Sequence, residues 1–206
     1  MTEVSISPPT RAASPGKTPW RRRTRLLTAA AALSGVLAGY TTWANVHPVR
    51  LAASIEIGAS PEEVWQVLTD FSGYPRWNPF MTTAEVTSPG GRLRAGARLR
   101  IVMHDAGGDT TFTPEVLTDA PGRELRWPGK MGPGLIADGE HRFTIREIGP
   151  GRARLTQSER FTGVAVPFAE GMLNRNTLPQ FRAMNRALAR QAEELSRHRG
   201  ASRAQG

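Results

Sequence analysis

The chain contains no cysteine in 206 residues, so disulfides, thiolate metal sites and a cysteine nucleophile are excluded. It also lacks a Gly-x-Ser-x-Gly elbow and a glycine-rich phosphate loop behind a strand, which removes the commonest signatures of serine hydrolases and nucleotide binders. Its four histidines, His47, His104, His141 and His198, are dispersed without metal-ligand spacing, and the expectation is no metal and no cofactor. Asp105 beside His104 reads as a solvated pair in a turn.

A field of one sign is missing from the middle of the chain. The formal charge is +9, yet six basic residues sit in positions 1–25 (Arg11, Lys17, Arg21, Arg22, Arg23, Arg25) against Glu3 alone, and six Arg sit in 180–206 against Glu193 and Glu194. Fifteen basic and fifteen acidic residues cancel between them. A folded part without net field offers nothing to a polyanion, so nucleic acid is not an expected partner.

Residues 1–19 are rich in Ser, Thr, Pro and Ala without apolar periodicity, and residues 1–25 read as a disordered basic tail. An uncharged run from Leu26 to Ala44 follows the arginines. Nineteen helical residues span roughly 28 Å, close to the ~30 Å of membrane hydrocarbon. Only Leu26, Leu27, Leu33, Val36 and Leu37 are strongly apolar, but the cationic flank, the absence of charge, and Tyr40 with Trp43 at the far end favour a single-pass anchor over 26–44. The arginines place the N-terminus in the cytoplasm and the following domain outside, at the cell membrane. A cleaved export signal, with Thr42-Trp43-Ala44 as its small-x-small site, and a helix packed on its own domain are the competing readings. Ala31, Gly35 and Gly39 form a small-xxx-small series that an Ala/Gly-rich anchor produces readily.

From Val49 the punctuation changes. A strand ends at Ile57. Ser60-Pro61-Glu62-Glu63 then supplies an N-cap, Pro at the first helical position and acidic residues in the first turn of a short helix through Leu68. Phe71 to Phe80, aromatic and broken by Pro75 and Pro79, reads as an ordered turn. Strand-like segments follow at about 82–88, 97–105, 109–119, 123–128, 136–148 and 152–162, with connections short enough for an antiparallel meander. The last element spans about Pro167 to His198. Phe181, Met184, Leu188, Ala192 and Leu195 share one stripe, beside Arg182, Arg186 and Arg190, so this helix lies on the sheet. Pro179 predicts a less regular stretch near 167–178, and 199–206 a disordered tail.

This order of elements, with Ala59-Ser60-Pro61-Glu62-Glu63-Val64-Trp65, Leu68-Thr69-Asp70-Phe71 and Tyr74-Pro75-Arg76-Trp77-Asn78-Pro79-Phe80, resembles the helix-grip superfamily of START-related lipid-transfer proteins, pollen-allergen-like carriers and polyketide cyclase/dehydrase proteins. Gly139-Glu140-His141-Arg142-Phe143 and Gln157 to Gly163 are similar to bacterial, membrane-anchored members. The resemblance covers about 48–198 and implies an α+β fold, a curved antiparallel sheet of about seven strands around a long C-terminal helix. It marks fold and subfamily and leaves open whether the domain carries a ligand or performs chemistry.

Strand alternation orients the candidate site. Leu135, Ala137, Gly139, His141, Phe143 and Ile145 share a face opposite Asp138, Glu140, Arg142 and Arg146; Leu155, Gln157, Glu159 and Phe161 share one opposite Arg154, Thr156, Ser158 and Arg160. Leu125 with Trp127, and Leu99, Ile101 with Met103, align likewise. An inward Glu159 requires a partner, since burying a lone carboxylate costs several kcal/mol; an in-register His141 provides one. The expected ligand-facing set is Trp77, Asn78, Phe80, Met103, Trp127, His141, Phe143, Gln157, Glu159, Phe161, Phe181 and Met184. The first expectation is a non-enzymatic site for a hydrophobic small molecule or lipid near the membrane. The alternatives are a cyclase-like enzyme using His141 and Glu159 as acid and base, and an assembly module with a filled core.

Overall fold

The computed structural model describes residues 19–105, 108–130 and 136–204. The chain divides between Tyr40 and Thr41 into two compact units. The first carries most of α1 (Pro19–Val46), which begins within the expected tail because Pro19 suits a first helical turn and the arginines after it favour helix. Residues 1–18 of that tail lie outside the described residues. Leu26, Leu27, Leu33, Val36 and Leu37 are 56–71% exposed, whereas Ala44 near the end of the helix is buried. Over Arg23–Val46 it is long and apolar enough to cross a membrane, a test that a signal sequence also passes.

In the second unit, the ring of His47 stacks on Trp43, and Pro48 ends the helix by disfavouring helical backbone at the residue before it. The strand β1 (Val49–Ile57) buries Leu51, Ala53 and Ile57. In α2 (Pro61–Thr69), Ser60 and Glu63 form the reciprocal capping box their spacing predicts. The aromatic turn is one 3-10 turn (Phe71–Gly73) and α3 (Tyr74–Trp77). It is pinned by Tyr74, fully buried, whose hydroxyl donates to the Leu68 carbonyl at 2.6 Å; burial raises its pKa well above the usual phenol range.

Seven further strands follow: β2 (Met81–Val86), β3 (Leu99–Asp105), β4 (Gly108–Phe112), β5 (Thr118–Ala120), β6 (Glu124–Lys130), β7 (Asp138–Gly149) and β8 (Arg152–Thr162). They form two sheets, β1-β8-β7-β6-β5 and β2-β3-β4, which corrects the expectation of about seven strands in one. The strand expected over 109–119 breaks at Pro114, which has no N–H to give to a ladder. Beyond it the chain crosses between sheets: Leu99 donates to the Pro114 carbonyl, Val116 to that of Ala97, and Leu117 to that of Arg126.

The helix α4 (Val166–Ala204) is unbroken, with Pro179 inside it. The irregular stretch expected near 167–178 is therefore helical, and the tail expected from 199 is helical to Ala204. A proline inside a helix removes one hydrogen bond, here to the Arg175 carbonyl, and a helix held by packing on both sides of that point tolerates the loss. The packing is visible in Val166 and Leu173 before it and in Phe181, Met184, Leu188 and Ala192 after it, all buried. Asn185 also donates to the Ala53 carbonyl at 2.9 Å, and Glu193 accepts from Gly58 N–H at 3.1 Å, tying the helix to β1. The architecture is the helix-grip arrangement.

Candidate functional site

The site begins with register. In the antiparallel pair β7–β8, His141 stands opposite Glu159 and Phe143 opposite Gln157; in β6–β7, Trp127 stands opposite His141 and Gly129 opposite Gly139. Side chains directly opposite on one face lie within reach of each other, and the register brings one imidazole, one carboxylate, one amide and one indole together.

Each edge of the His141 ring is occupied by protein. Its Nδ1 lies 3.5 Å from Glu159 Oε2, and its Nε2 lies 3.1 Å from Gln157 Nε2. The Trp127 ring stacks on it nearly parallel, 7° between planes with centroids 5.3 Å apart, and Phe181 of α4 meets it edge-on at 5.2 Å. The Nε2 edge thus faces the Gln157 amide and the Nδ1 edge the Glu159 carboxylate. Gln157 is fully buried; its nitrogen also lies 3.6 Å from Met184 Sδ, while its Oε1 has no partner among the described residues.

Glu159 occupies a space that two missing side chains create. A Cβ on Gly139 would lie 2.7 Å from Glu159 Oε1, and one on Gly129 would lie 2.9 Å from it. The paired glycines thus form a notch in the sheet in which the carboxylate rests. Sequence reasoning placed Gly139 on the inward face but gave it no role; the signal was a glycine on each of two neighbouring strands, legible only with their register in hand.

Above this floor lies a cavity of about 510 Å³, within the ~300–1,000 Å³ of small-molecule sites. Of the residues expected to face it, Phe80, Met103, Trp127, His141, Glu159 and Phe161 line it. Phe143, Gln157, Phe181 and Met184 do not; each is fully buried in the core beneath or beside it. Asn78 is buried too, its Oδ1 accepting from the N–H groups of Phe80 and Met81 to shape the turn into β2. Trp77 lies elsewhere, packed edge-on against Tyr74 and facing a shallow groove with Gln191 and Leu195 of α4. Leu135 is outside the described residues.

Sequence reasoning missed the far wall: Thr110, Thr111 and Phe112 from the smaller sheet, Pro114 just beyond it, and Leu173, Thr177 and Gln180 from α4. Among the lining residues only His141 and Glu159 ionise. His104, adjacent to Asp105 in sequence, bonds instead to Asp109 at 2.7 Å on the exposed surface. Among the described residues no group of three or more His, Asp or Glu is placed to hold a metal ion.

Residues 48–193 match the family described as polyketide cyclase / dehydrase and lipid transport. Among solved structures, the chain is similar to the Zhui aromatase/cyclase from Streptomyces sp. R1128, at 18% identity and TM-score 0.59 over 71% of this chain and 94% of that one. It is also similar to a START superfamily protein from Mycobacterium smegmatis (22% identity, TM-score 0.52, 72% and 97% covered) and to a protein from Thermus thermophilus (18% identity, TM-score 0.57, 72% and 99% covered). At these identities the likeness carries the fold. No curated protein matches the chain.

Proposed function

We propose, from the premise that this chain belongs to the polyketide cyclase / dehydrase and lipid transport family, that it binds one hydrophobic small molecule or lipid bearing a hydrogen-bond donor. The apolar body lies against Trp127, Phe80, Met103 and Phe161, and the donor meets Glu159. Apolar burial at ~25 cal/mol per Å² supplies the affinity, and a carboxylate at one side of a mainly apolar cavity fixes which way the ligand lies.

The observation that carries this reading is the enclosure of His141. A general base must present a free nitrogen to its substrate, and here Nε2 faces the Gln157 amide at 3.1 Å and Nδ1 lies 3.5 Å from Glu159. His141 therefore supports Glu159, and the carboxylate is the charged group that faces the cavity. The second reading, a cyclase-like reaction with His141 and Glu159 as acid and base, is favoured by the direct pairing of the two groups at an apolar cavity.

The location proposed is a membrane surface, with α1 as a single-pass anchor, its arginine-flanked N-terminal side in the cytoplasm and the domain outside. A reporter fused after residue 46 is expected to be active only outside the cytoplasm.

Extraction of the full chain in native lipid discs, followed by mass spectrometry, tests the binding. The wild type is expected to retain a defined apolar molecule that a Met103→Trp variant, its cavity filled, loses. Identical extracts from the two would refute the ligand site. For the second reading, turnover of an enolisable polyketide-like substrate that falls at least ~100-fold on Glu159→Gln, a typical acid–base contribution, would replace carriage with catalysis.

A further inference from the structure

The helix that walls the cavity opens with side chains that the core does not use. Phe168 is 84% exposed and Met172 50% exposed; four residues apart, they share one stripe of α4, which Arg175 continues one turn on. Ile136, 47% exposed, adjoins the start of this stripe, its carbonyl accepting from Ala165 N–H. Leu173, next to Met172, faces the cavity. Exposed apolar side chains gathered beside a ligand cavity mark an interaction surface.

The chain itself indicates what covers that surface. Trp43 and Val46, 47% and 64% exposed, are among the last residues of the segment apolar enough to cross a membrane. They share a cleft with Arg50 and with Pro167 and Glu170 of α4's first turns. The end of the anchor and the head of α4 are thus neighbours. Charge agrees: Arg50 lines this cleft, and Arg175 continues the exposed stripe of α4. Neither Arg50 nor Arg175 forms an ion pair among the described residues. Glu170 is the one carboxylate lining the cleft.

We propose that this face, with Ile136, Phe168 and Met172 at its centre and Arg50 and Arg175 at its margin, docks on the anionic bilayer that holds α1. The apolar side chains enter the headgroup–acyl boundary and the guanidinium groups meet lipid phosphates. The α4 wall of the cavity then faces lipid, and an apolar ligand passes between bilayer and cavity without crossing water. The inference rests on the reading of α1 as an anchor.

The absence of cysteine makes the test clean. Single-cysteine variants Leu33→Cys, Phe168→Cys, Met172→Cys and Ala201→Cys of the full chain are spin-labelled in phosphatidylcholine nanodiscs, with and without phosphatidylglycerol. Collision with oxygen, which concentrates in lipid, is compared with collision with a water-soluble nickel chelate. Ala201 is on the same helix, roughly 50 Å from Phe168 at ~1.5 Å per residue, and serves as the aqueous reference. Labels at 33, 168 and 172 are expected to favour oxygen, those at 168 and 172 more strongly with phosphatidylglycerol, and the label at 201 to favour nickel. Labels at 168 and 172 that read like 201 while 33 reads as lipid would overturn the docking and leave the anchor standing. An aqueous reading at 33 would remove the anchor and the docking together. Equal readings with and without phosphatidylglycerol would overturn the role of the arginines.

Discussion

The Oε1 atom of Glu159 rests over the bare Cα of Gly139, 2.7 Å from where a Cβ would be. The same Cβ would lie 2.8 Å from the Gly129 carbonyl oxygen, whereas one on Gly129 meets only the end of the Glu159 side chain closely, at 2.9 Å. A side-chain tip can move and a paired strand cannot. Gly139→Ala is therefore expected to cost about 1–3 kcal/mol of stability by overpacking. Gly129→Ala is expected to keep nearly all stability while displacing the carboxylate and weakening ligand retention. Urea denaturation of both variants beside the lipid-extraction assay separates them, and equal stability losses would show the notch to be rigid throughout.

The His141–Gln157 contact sets a second expectation. A buried polar group stripped of its partner costs about 1–3 kcal/mol, whereas replacing both partners by apolar groups of similar shape is nearly neutral. His141→Phe leaves the Gln157 amide with only Met184 Sδ to face and is expected to destabilise by that amount. Adding Gln157→Leu is expected to recover most of the loss, since both side chains sit in the core. Ligand retention is expected to stay low in the double variant, because Glu159 no longer has its support. A double variant no more stable than the single one would mean that Gln157 does not depend on His141.

How much of this was legible beforehand follows from which residues rest on local rules. The opposition of His141 and Glu159 follows from period-two alternation and a short β7–β8 connection, and the Ser60/Glu63 capping box from residues three apart. The far wall of the cavity is different. Thr110 to Phe112 belong to the smaller sheet, and which sheet faces which is decided by the crossing after Pro114, where a proline ends one ladder and Glu115 bridges to Arg98. No periodicity within 109–119 encodes that. Trp77 shows the opposite failure: an aromatic beside Phe80 in sequence, it is turned by α3 onto Tyr74 and away from the cavity.

Asp119 gives a pH dependence. In β5 it is half-buried, and burial holds its carboxyl above the usual value of 3.8. Among the described residues no cation pairs with it. The folded state then holds this proton more tightly than the unfolded one, so the contribution to stability is greatest below 3.8 and is lost as pH rises through the folded-state value. Asp119→Asn removes the penalty. Its stability is expected to exceed the wild type's at about pH 7 and to match it at the acid end of the range, as read from thermal melts across pH. A variant less stable than the wild type at neutral pH would show that the charged carboxylate has a favourable partner.

Pro179 links the helix to the cavity. It is exposed in the middle of α4, and the residues around it, Thr177 and Gln180, line the site. Without an N–H at 179 the helix lacks one rung at the level of the cavity, which separates the half carrying Leu173 from the half locked to β1 by Asn185. Pro179→Ala restores the rung and relieves a ring clash, a change worth up to about 3 kcal/mol in a helix interior, offset in part by the greater freedom of the unfolded chain. The melting temperature is expected to rise. The same rung stiffens the wall that a ligand must pass, so exchange of a bound fluorescent fatty acid is expected to slow while its equilibrium affinity changes little. Faster exchange, or a lower melting temperature, would show instead that the proline holds the wall in its binding shape.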